Sequence, residues 1–295
     1  MLNEAQAEVT KHLKGALLVI AGAGTGKTRT LIHRYVKLIE SGVPPHRILL
    51  LTFTRKASHE MQERALSLLQ NYGLNTNIDQ IGGTFHSVAF KWLRILGVMN
   101  SGFSIVDEKD QRKLVNLDLP KEEKALLTQL SMTVSNVLQI RSLMINLQVS
   151  VDEVIARFFP AAFSYSELIK TILSRLDKRK KDGDINDYDD ILNKWLQTLK
   201  TESGDAIRKA YDYVMVDEYQ DTSPAQFALT QWALDERSNI FAVGDEDQAI
   251  YGWRGADIRN ILDFREKFPG AVELRLEQNY RSRPEILQAA HQLAS

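Results

Sequence analysis

One octapeptide limits what this chain can fold into more than any other feature: Ala21-Gly22-Ala23-Gly24-Thr25-Gly26-Lys27-Thr28. Its glycines lack the Cβ atoms that would keep backbone N–H groups from closing around phosphate oxygens. The apolar run Ala16 to Ile20 precedes it. Behind it Leu31, Ile32, Tyr35, Val36, Leu38 and Ile39 recur at helical spacing. Strand, glycine-rich turn and helix, in that order, make a phosphate-binding loop with the helix N-terminus facing the anion. Lys27 brings a point charge to the β- and γ-phosphates, and the Thr28 hydroxyl is placed to bind Mg²⁺. The strict pattern opens with Gly where this sequence has Ala21. A glycine-rich turn without a ligand is the ordinary alternative, but the flanking strand and helix favour a nucleoside triphosphate site.

The first hundred residues alternate buried-strand and helix patterns. Leu17 to Ile20 reads as a strand, and Ser41-Gly42-Val43-Pro44-Pro45 ends the helix after it. Ile48 to Leu51 is the next strand, with Thr54 capping a helix that carries Ala57, Met61, Ala65 and Leu68. Gln80 to Phe85 reads as a third strand edge, followed by a helix from Ser87 to Leu96. Such alternation predicts an α/β fold with a parallel sheet covered by helices on both faces. From about Asp107 to Gly204 only helical spacing is visible, as in Val134, Val137, Leu138 and Arg141, or Leu168, Ile169, Ile172 and Leu176. Strands resume at Tyr213 to Val216, Ile240 to Val243 and Val272 to Leu276. The simplest division is one α/β domain (1–106 and 205–280) interrupted by an all-helical insertion (107–204), with 281–295 outside both.

Tyr213-Val214-Met215-Val216 is a buried strand that delivers Asp217 and Glu218 at its C-terminal end, where open parallel sheets bind ligands. Asp217 suits Mg²⁺, directly or through water. Glu218 suits the orientation and deprotonation of a water attacking the γ-phosphate. Two adjacent carboxylates after a strand are commonplace alone; the phosphate loop upstream gives them meaning.

Composition narrows the partners. The chain carries 37 basic and 38 acidic residues, so a nucleic acid would have to meet a local patch rather than a global positive field. With no Cys, disulfides and thiolate metal sites are excluded. The N-terminus lacks a signal pattern, and no apolar run approaches membrane length. The expectation is a soluble, cytoplasmic protein without a membrane partner.

Further stretches bear a family resemblance. Val216-Asp217-Glu218-Tyr219-Gln220-Asp221, and Gly244 to Ala256 with its core Gln248-Ala249-Ile250-Tyr251-Gly252-Trp253-Arg254, closely resemble motifs II and III of the UvrD/Rep/PcrA helicases of superfamily 1. Leu2-Asn3-Glu4-Ala5-Gln6 looks like the adenine-reading Q motif, and Thr52-Phe53-Thr54-Arg55-Lys56-Ala57 resembles motif Ia. Thr84-Phe85-His86 is similar to the next DNA-contacting motif, and Gln278-Asn279-Tyr280-Arg281-Ser282 to motif IV. They occur in the family's order over nearly the whole chain. The insertion matches loosely, best at Asp187-Tyr188-Asp189-Asp190.

The resemblance implies a RecA-like P-loop NTPase domain and roles at matching positions. Gln6 would bond the adenine edge, Tyr280 would stack on its face, and Arg29 would meet phosphate. Gln248 would sense the γ-phosphate, and Arg281 would clamp the transition state. Phe53, Tyr251 and Trp253 would stack on bases of single-stranded DNA, with Thr84, His86 and Arg254 alongside. Stacking tolerates every base, which suits a motor that must cross all sequences. Read singly, Phe53 and Trp253 would be core aromatics and His59 a surface residue; Lys178-Arg179-Lys180-Lys181 could touch duplex phosphates from the insertion, but reads first as a solvated helix end. Gly252 departs from the larger side chain that relatives often carry before the tryptophan.

The implied activity is ATP- and Mg²⁺-dependent travel 3′ to 5′ on single-stranded or 3′-tailed DNA. Such a motor has two RecA-like domains; no later motif follows Arg281, and 281–295 would be the start of a truncated second RecA-like domain. The expectation is therefore the N-terminal part of a helicase, a monomer that binds ATP and hydrolyses it poorly. Two alternatives stay open: part of an AddA/RecB-like helicase–nuclease subunit, and a nucleic-acid-binding module that uses ATP as a switch.

Overall fold

A six-stranded sheet in the order β3-β2-β6-β7-β1-β8 organises the chain. Its strands are β1 (Leu17–Ala21), β2 (Ile48–Thr52), β3 (Gly83–Thr84), β6 (Tyr213–Val216), β7 (Ile240–Gly244) and β8 (Val272–Leu276). A separate pair joins β4 (Ser104–Ile105) to β5 (Ile185–Asn186). The computed structural model describes residues 2–74, 77, 81–99, 102–234 and 239–294. Every pairing in the main sheet is parallel.

Continuous apolar runs suit central parallel strands because both faces are covered. β2 and β7 are buried at every position. Alternate side chains enter opposite cores. Leu18, Leu49, Leu51, Val214, Val216 and Ala242 join one apolar cluster, while Leu17, Leu50, Met215, Phe241 and Val243 join the other. The helices Lys27–Glu40 and Arg55–Asn71 pack on the second face through Leu31, Tyr35, Leu38, Met61 and Ala65. On the first face lie the helices Phe85–Ile95, Tyr188–Leu199 and Pro224–Ala233, with Leu93, Trp195, Leu196 and Leu229 in the cluster. The chain thus forms a doubly covered parallel sheet.

The helices between Glu108 and Asp182 enclose a third cluster, running from Val115 through Val137, Ile140 and Ile155 to Leu176. The helices Tyr188–Leu199 and Glu202–Arg208 instead send Ile191, Trp195 and Ile207 into the sheet's core. The short strand β5 lies inside the stretch whose spacing is helical throughout, because two residues are too few to show a period. At the sheet edge only Gly83 and Thr84 are extended, and Gln80 lies outside the described residues. The following helix begins at Phe85 rather than Ser87, since the Thr84 side chain caps it by accepting from Ser87 N at 3.2 Å. No helix among the described residues is long and apolar enough to cross a membrane.

One buried charge cluster joins the inserted helices to the chain leaving them. Arg141 reaches Asp177 at 2.9 Å, Asp187 at 3.1 Å and Asp190 at 2.5 Å. Lys180 pairs with Asp187 and Asp190. Lys180 is 4% exposed, so the basic run 178–181 is not simply a solvated helix end. Removing one member of such a buried network leaves uncompensated charge. The Arg141→Ala variant should therefore lose about 3–5 kcal/mol in urea unfolding. A loss below about 1 kcal/mol, the value of an exposed pair, would show the cluster to be dispensable.

Candidate functional site

Parallel register brings three strand ends to one edge of the sheet: Ile20 lies opposite Gly244, and Val216 opposite Ala242. The phosphate loop leaves β1, the acidic pair leaves β6 and Asp245 leaves β7 there. Ala21, the departure from the strict pattern, ends β1 fully buried among apolar neighbours, where a methyl group is accommodated. Gly24 and Gly26 adopt φ of +76° and +89°. A Cβ on Gly24 would lie 2.6 Å from Arg281 Cβ, and one on Gly26 would lie 2.8 Å from Gln6 Nε2. The glycines are required by backbone and neighbours alike. Thr25 braces the loop, its hydroxyl donating to Gly22 O at 2.8 Å.

Lys27 opens the helix and is 8% exposed, with its ammonium 3.0 Å from Glu218 Oε2. That contact is an ion pair without hydrogen-bond geometry, so the buried Nζ has donors to spare. Beside it Thr28 Oγ1 donates to Asp217 Oδ2 at 3.1 Å. Residues far apart in sequence thus meet at one point. Burial, with the neighbouring Glu218 second, pushes the Asp217 carboxyl up to about 6. Asp221 is raised to about 6 by the same two causes, and its Oδ1 has no hydrogen-bond partner. Glu218 itself sits at φ +50°, a left-handed conformation that a non-glycine residue adopts at a cost. A glycine cradle and a buried lysine with spare donors suit a polyphosphate; a hydroxyl beside a carboxylate suits Mg²⁺, which keeps waters and phosphate oxygens as its other ligands.

The acidic pair connects onward. Gln220 Nε2 donates to Glu218 Oε2 at 3.0 Å, and Gln220 Oε1 accepts from Asp245 N at 3.0 Å. The Gln248 side chain donates to Asp245 Oδ2. Across the loop, Gln6 is 1% exposed, donating to Thr25 O at 2.9 Å and accepting from Asn3 N at 3.1 Å. Tyr280 N donates to Gly24 O at 2.8 Å, while its ring is 53% exposed and its hydroxyl accepts from Asn3 Nδ2 at 2.8 Å. Asn279 donates to Ala23 O, and Arg281 lies exposed beside Gly24. Arg29, on the first turn of the helix, lines a surface groove with His33, Glu63 and Arg64.

A second set of predicted residues gathers around Phe53. Its ring stacks on Tyr251 at 5.3 Å, and the Arg254 guanidinium lies 4.8 Å from the Trp253 ring. Trp253 is 56% exposed and Phe53 half-buried, so neither is a core aromatic. A Cβ on Gly252 would meet nothing within 4 Å, so sterics alone do not demand glycine there. Phe53 borders three cavities. One of 440 Å³ also touches Glu218, Gln248 and Tyr251. One of 620 Å³ reaches His86, Trp253, Arg254 and the inserted-helix residues Ser142 and Asn146. The largest, 890 Å³, is lined by Arg55, Thr84, His86, Lys91 and Tyr188 among others. The Thr84 hydroxyl is 7% exposed and spent on its helix cap. His86 packs edge-on to Tyr188 at 5.6 Å, and Arg55 donates to the Tyr188 hydroxyl at 2.8 Å.

Several of these participants carry no signal that sequence reasoning can use. Gln220, Asp245 and Asn279 stand inside recognised motifs, yet only geometry shows what their side chains bond. Arg55 and Tyr188 meet only because the first residues of two helices on opposite faces of the sheet come together.

A parallel sheet with a phosphate loop after β1 and an acidic pair at the same edge defines a RecA-like P-loop NTPase fold. The sequence model of the UvrD/REP helicase N-terminal domain matches residues 2–269, and the chain belongs to that family. It is 37% identical to a DNA helicase II of Rickettsia typhi over 98% of this chain and 44% of the relative. With an ATP-dependent DNA helicase PcrA of Staphylococcus aureus it shares 34% identity over 99% of this chain and 40% of the relative. A probable DNA helicase II homolog of Rickettsia felis is 37% identical, again over 44% of its length. The chain thus spans less than half of each of these relatives.

His86 makes the groove sensitive to pH. Burial, then Arg55, holds its imidazole down to about 4 against an ordinary 6.5, while Asp187 pulls weakly upward. The unfolded chain takes the proton first as pH falls. Stability from neutral His86 is complete above 6.5 and drains toward 4. Between pH 7 and 5 that share is about 2 kcal/mol. Urea unfolding at both pH values should show the His86→Gln variant losing about 2 kcal/mol less than the parent. Equal losses would mean that the folded chain protonates His86 freely.

Proposed function

We propose that this chain is the ATP-binding half of a cytoplasmic DNA helicase that moves 3′ to 5′ along single-stranded DNA, entering duplexes from a 3′ tail. The observation that carries the reading is the meeting of Lys27 with Glu218 at 3.0 Å beside Thr28 and Asp217 at 3.1 Å, with Glu218 also lining a cavity that holds the aromatic pair Phe53 and Tyr251. Residues 1–106 and 205–280 would form the nucleotide unit and 107–204 the inserted one, with the helix Tyr188–Leu199 at the end of the insertion packed into the sheet's core.

ATP would lie with its triphosphate along Ala21 to Arg29 and its base between the Gln6 helix and the Tyr280 ring. Thr28 and Asp217 would hold Mg²⁺, which when bound neutralises charge on the β- and γ-phosphates. Lys27 would exchange the Glu218 carboxylate for phosphate oxygens, leaving Glu218 free to accept a proton from the attacking water. Arg281, over Gly24, would meet charge developing on the transferred phosphoryl group. Gln248 would report on that phosphate. Phe53, Tyr251 and Trp253 would stack against bases, with Arg254, Thr84 and His86 along the strand.

Two titrations test this. The Lys27→Ala variant should lose binding of an Mg²⁺–ATP analogue by at least about tenfold, the share of one charge-assisted contact; unchanged affinity would falsify the site. With a fluorescent oligo-dT, Trp253→Ala should weaken binding by about 1–3 kcal/mol while leaving nucleotide affinity intact. A response to duplex DNA alone, with none to the single strand, would refute the stacking track.

A further inference from the structure

We propose that Gln220 is a positioning residue that makes the base-stacking segment respond to the catalytic carboxylate. The inference rests on the reading of Glu218 and of Tyr251 and Trp253 given above, and assigns the physical link between them to one buried side chain.

Gln220 is 2% exposed, yet it packs as a polar group rather than an apolar one. Its two amide atoms serve two different loops. Nε2 donates to Glu218 Oε2 at 3.0 Å, and Oε1 accepts from Asp245 N at 3.0 Å. A carboxylate can only accept and a backbone N–H can only donate, so the amide has a single consistent orientation. The neighbouring strand leaves room for it: a Cβ on Gly244 would lie 2.6 Å from Gln220 Oε1 and 2.7 Å from Ile261 Cδ1. Only glycine at the end of β7 admits the amide without displacing it.

The same Glu218 oxygen also faces Lys27 at 3.0 Å. A γ-phosphate that draws the ammonium away changes the balance on Oε2, and Gln220 is the donor that stays with it. Any turn of the Glu218 carboxylate, already on a left-handed backbone at φ +50°, then reaches Asp245 through a rigid amide. Asp245 in turn accepts from Gln248 Nε2 and from Asp247 N at 3.1 Å, at the start of the segment ending in Tyr251 and Trp253. Gln248 can feel the phosphate directly; Gln220 lets the hydrolytic carboxylate speak to the same segment.

Hydrogen exchange on the 295-residue chain tests this, using Mg²⁺ with a non-hydrolysable ATP analogue. In the parent, nucleotide should slow exchange at residues 21–29 and alter it at 245–255. Gln220→Met keeps nearly the same volume without donor or acceptor. Its phosphate loop should stay protected with nucleotide affinity within about threefold, while the response at 245–255 shrinks at least about fivefold, the low end of measured couplings. Gln220→Glu keeps the acceptor for Asp245 N and sets a carboxylate against Glu218, so it should lose the response too; one well-folded variant suffices. An undiminished response at 245–255 overturns the inference. So does joint loss of protection in both regions, the mark of a structural role, or a parent in which 245–255 never responds. A parent whose phosphate loop gains no protection removes the nucleotide site itself, and this inference with it.

Discussion

The rest of the structure depends on the meeting of a buried ammonium with a half-exposed carboxylate at one sheet edge. Lys27 leaves β1, Glu218 leaves β6, and they pair at 3.0 Å because the two strands are separated by β7 alone. The Lys27 ammonium, 8% exposed, could not be sunk there without the half-exposed Glu218 carboxylate beside it, since a desolvated ion without a partner is costly. The pair is also incomplete: the ammonium has donors to spare and Asp217 titrates high at about 6. A site that is satisfied only in part is one that a charged ligand can complete. Under the proposed function, a polyphosphate with its metal would supply anion to Lys27 and cation to Asp217 in a single event.

Much of the fold follows from keeping that edge in place. The doubly covered sheet holds the strand ends rigid, because its two apolar faces are each packed against helices. The aromatic groove lies close by for the same reason. Phe53 follows β2 and Tyr251 follows β7 by a few residues, so parallel register that aligns the nucleotide loops also brings these rings within 5.3 Å. The acidic pair and the aromatic rings are therefore neighbours by topology. The 440 Å³ cavity that touches Glu218, Gln248, Phe53 and Tyr251 gives that nearness a shape.

How much was legible varies with the range over which each signal acts. The octapeptide, the apolar strands and the helical stripes are local, and the structure places them within a residue or two of expectation. β3 and β5 were harder, since two extended residues carry no period and are made by their partners in the ladder. Within the basic run at 178–181, Lys178 and Lys181 are exposed as a helix end should be, while Lys180 is buried and paired with Asp187 and Asp190, partners that no local window shows. Thr84 illustrates another limit: its motif speaks of nucleic acid, while its hydroxyl caps a helix.

The order of residues by itself determined a phosphate loop, an acidic pair at a strand end, an alternating α/β pattern with helices inserted, and the family to which these belong. Each is written in a short window, where residue type and spacing act directly on the backbone. Only the tertiary structure decided that Glu218 answers Lys27, that Gln220 joins Glu218 to Asp245, and that Phe53 stacks on Tyr251. Those contacts require strand order and register. Pairing across a sheet is set by the sum of many buried contacts, and no single stretch of sequence contains that sum.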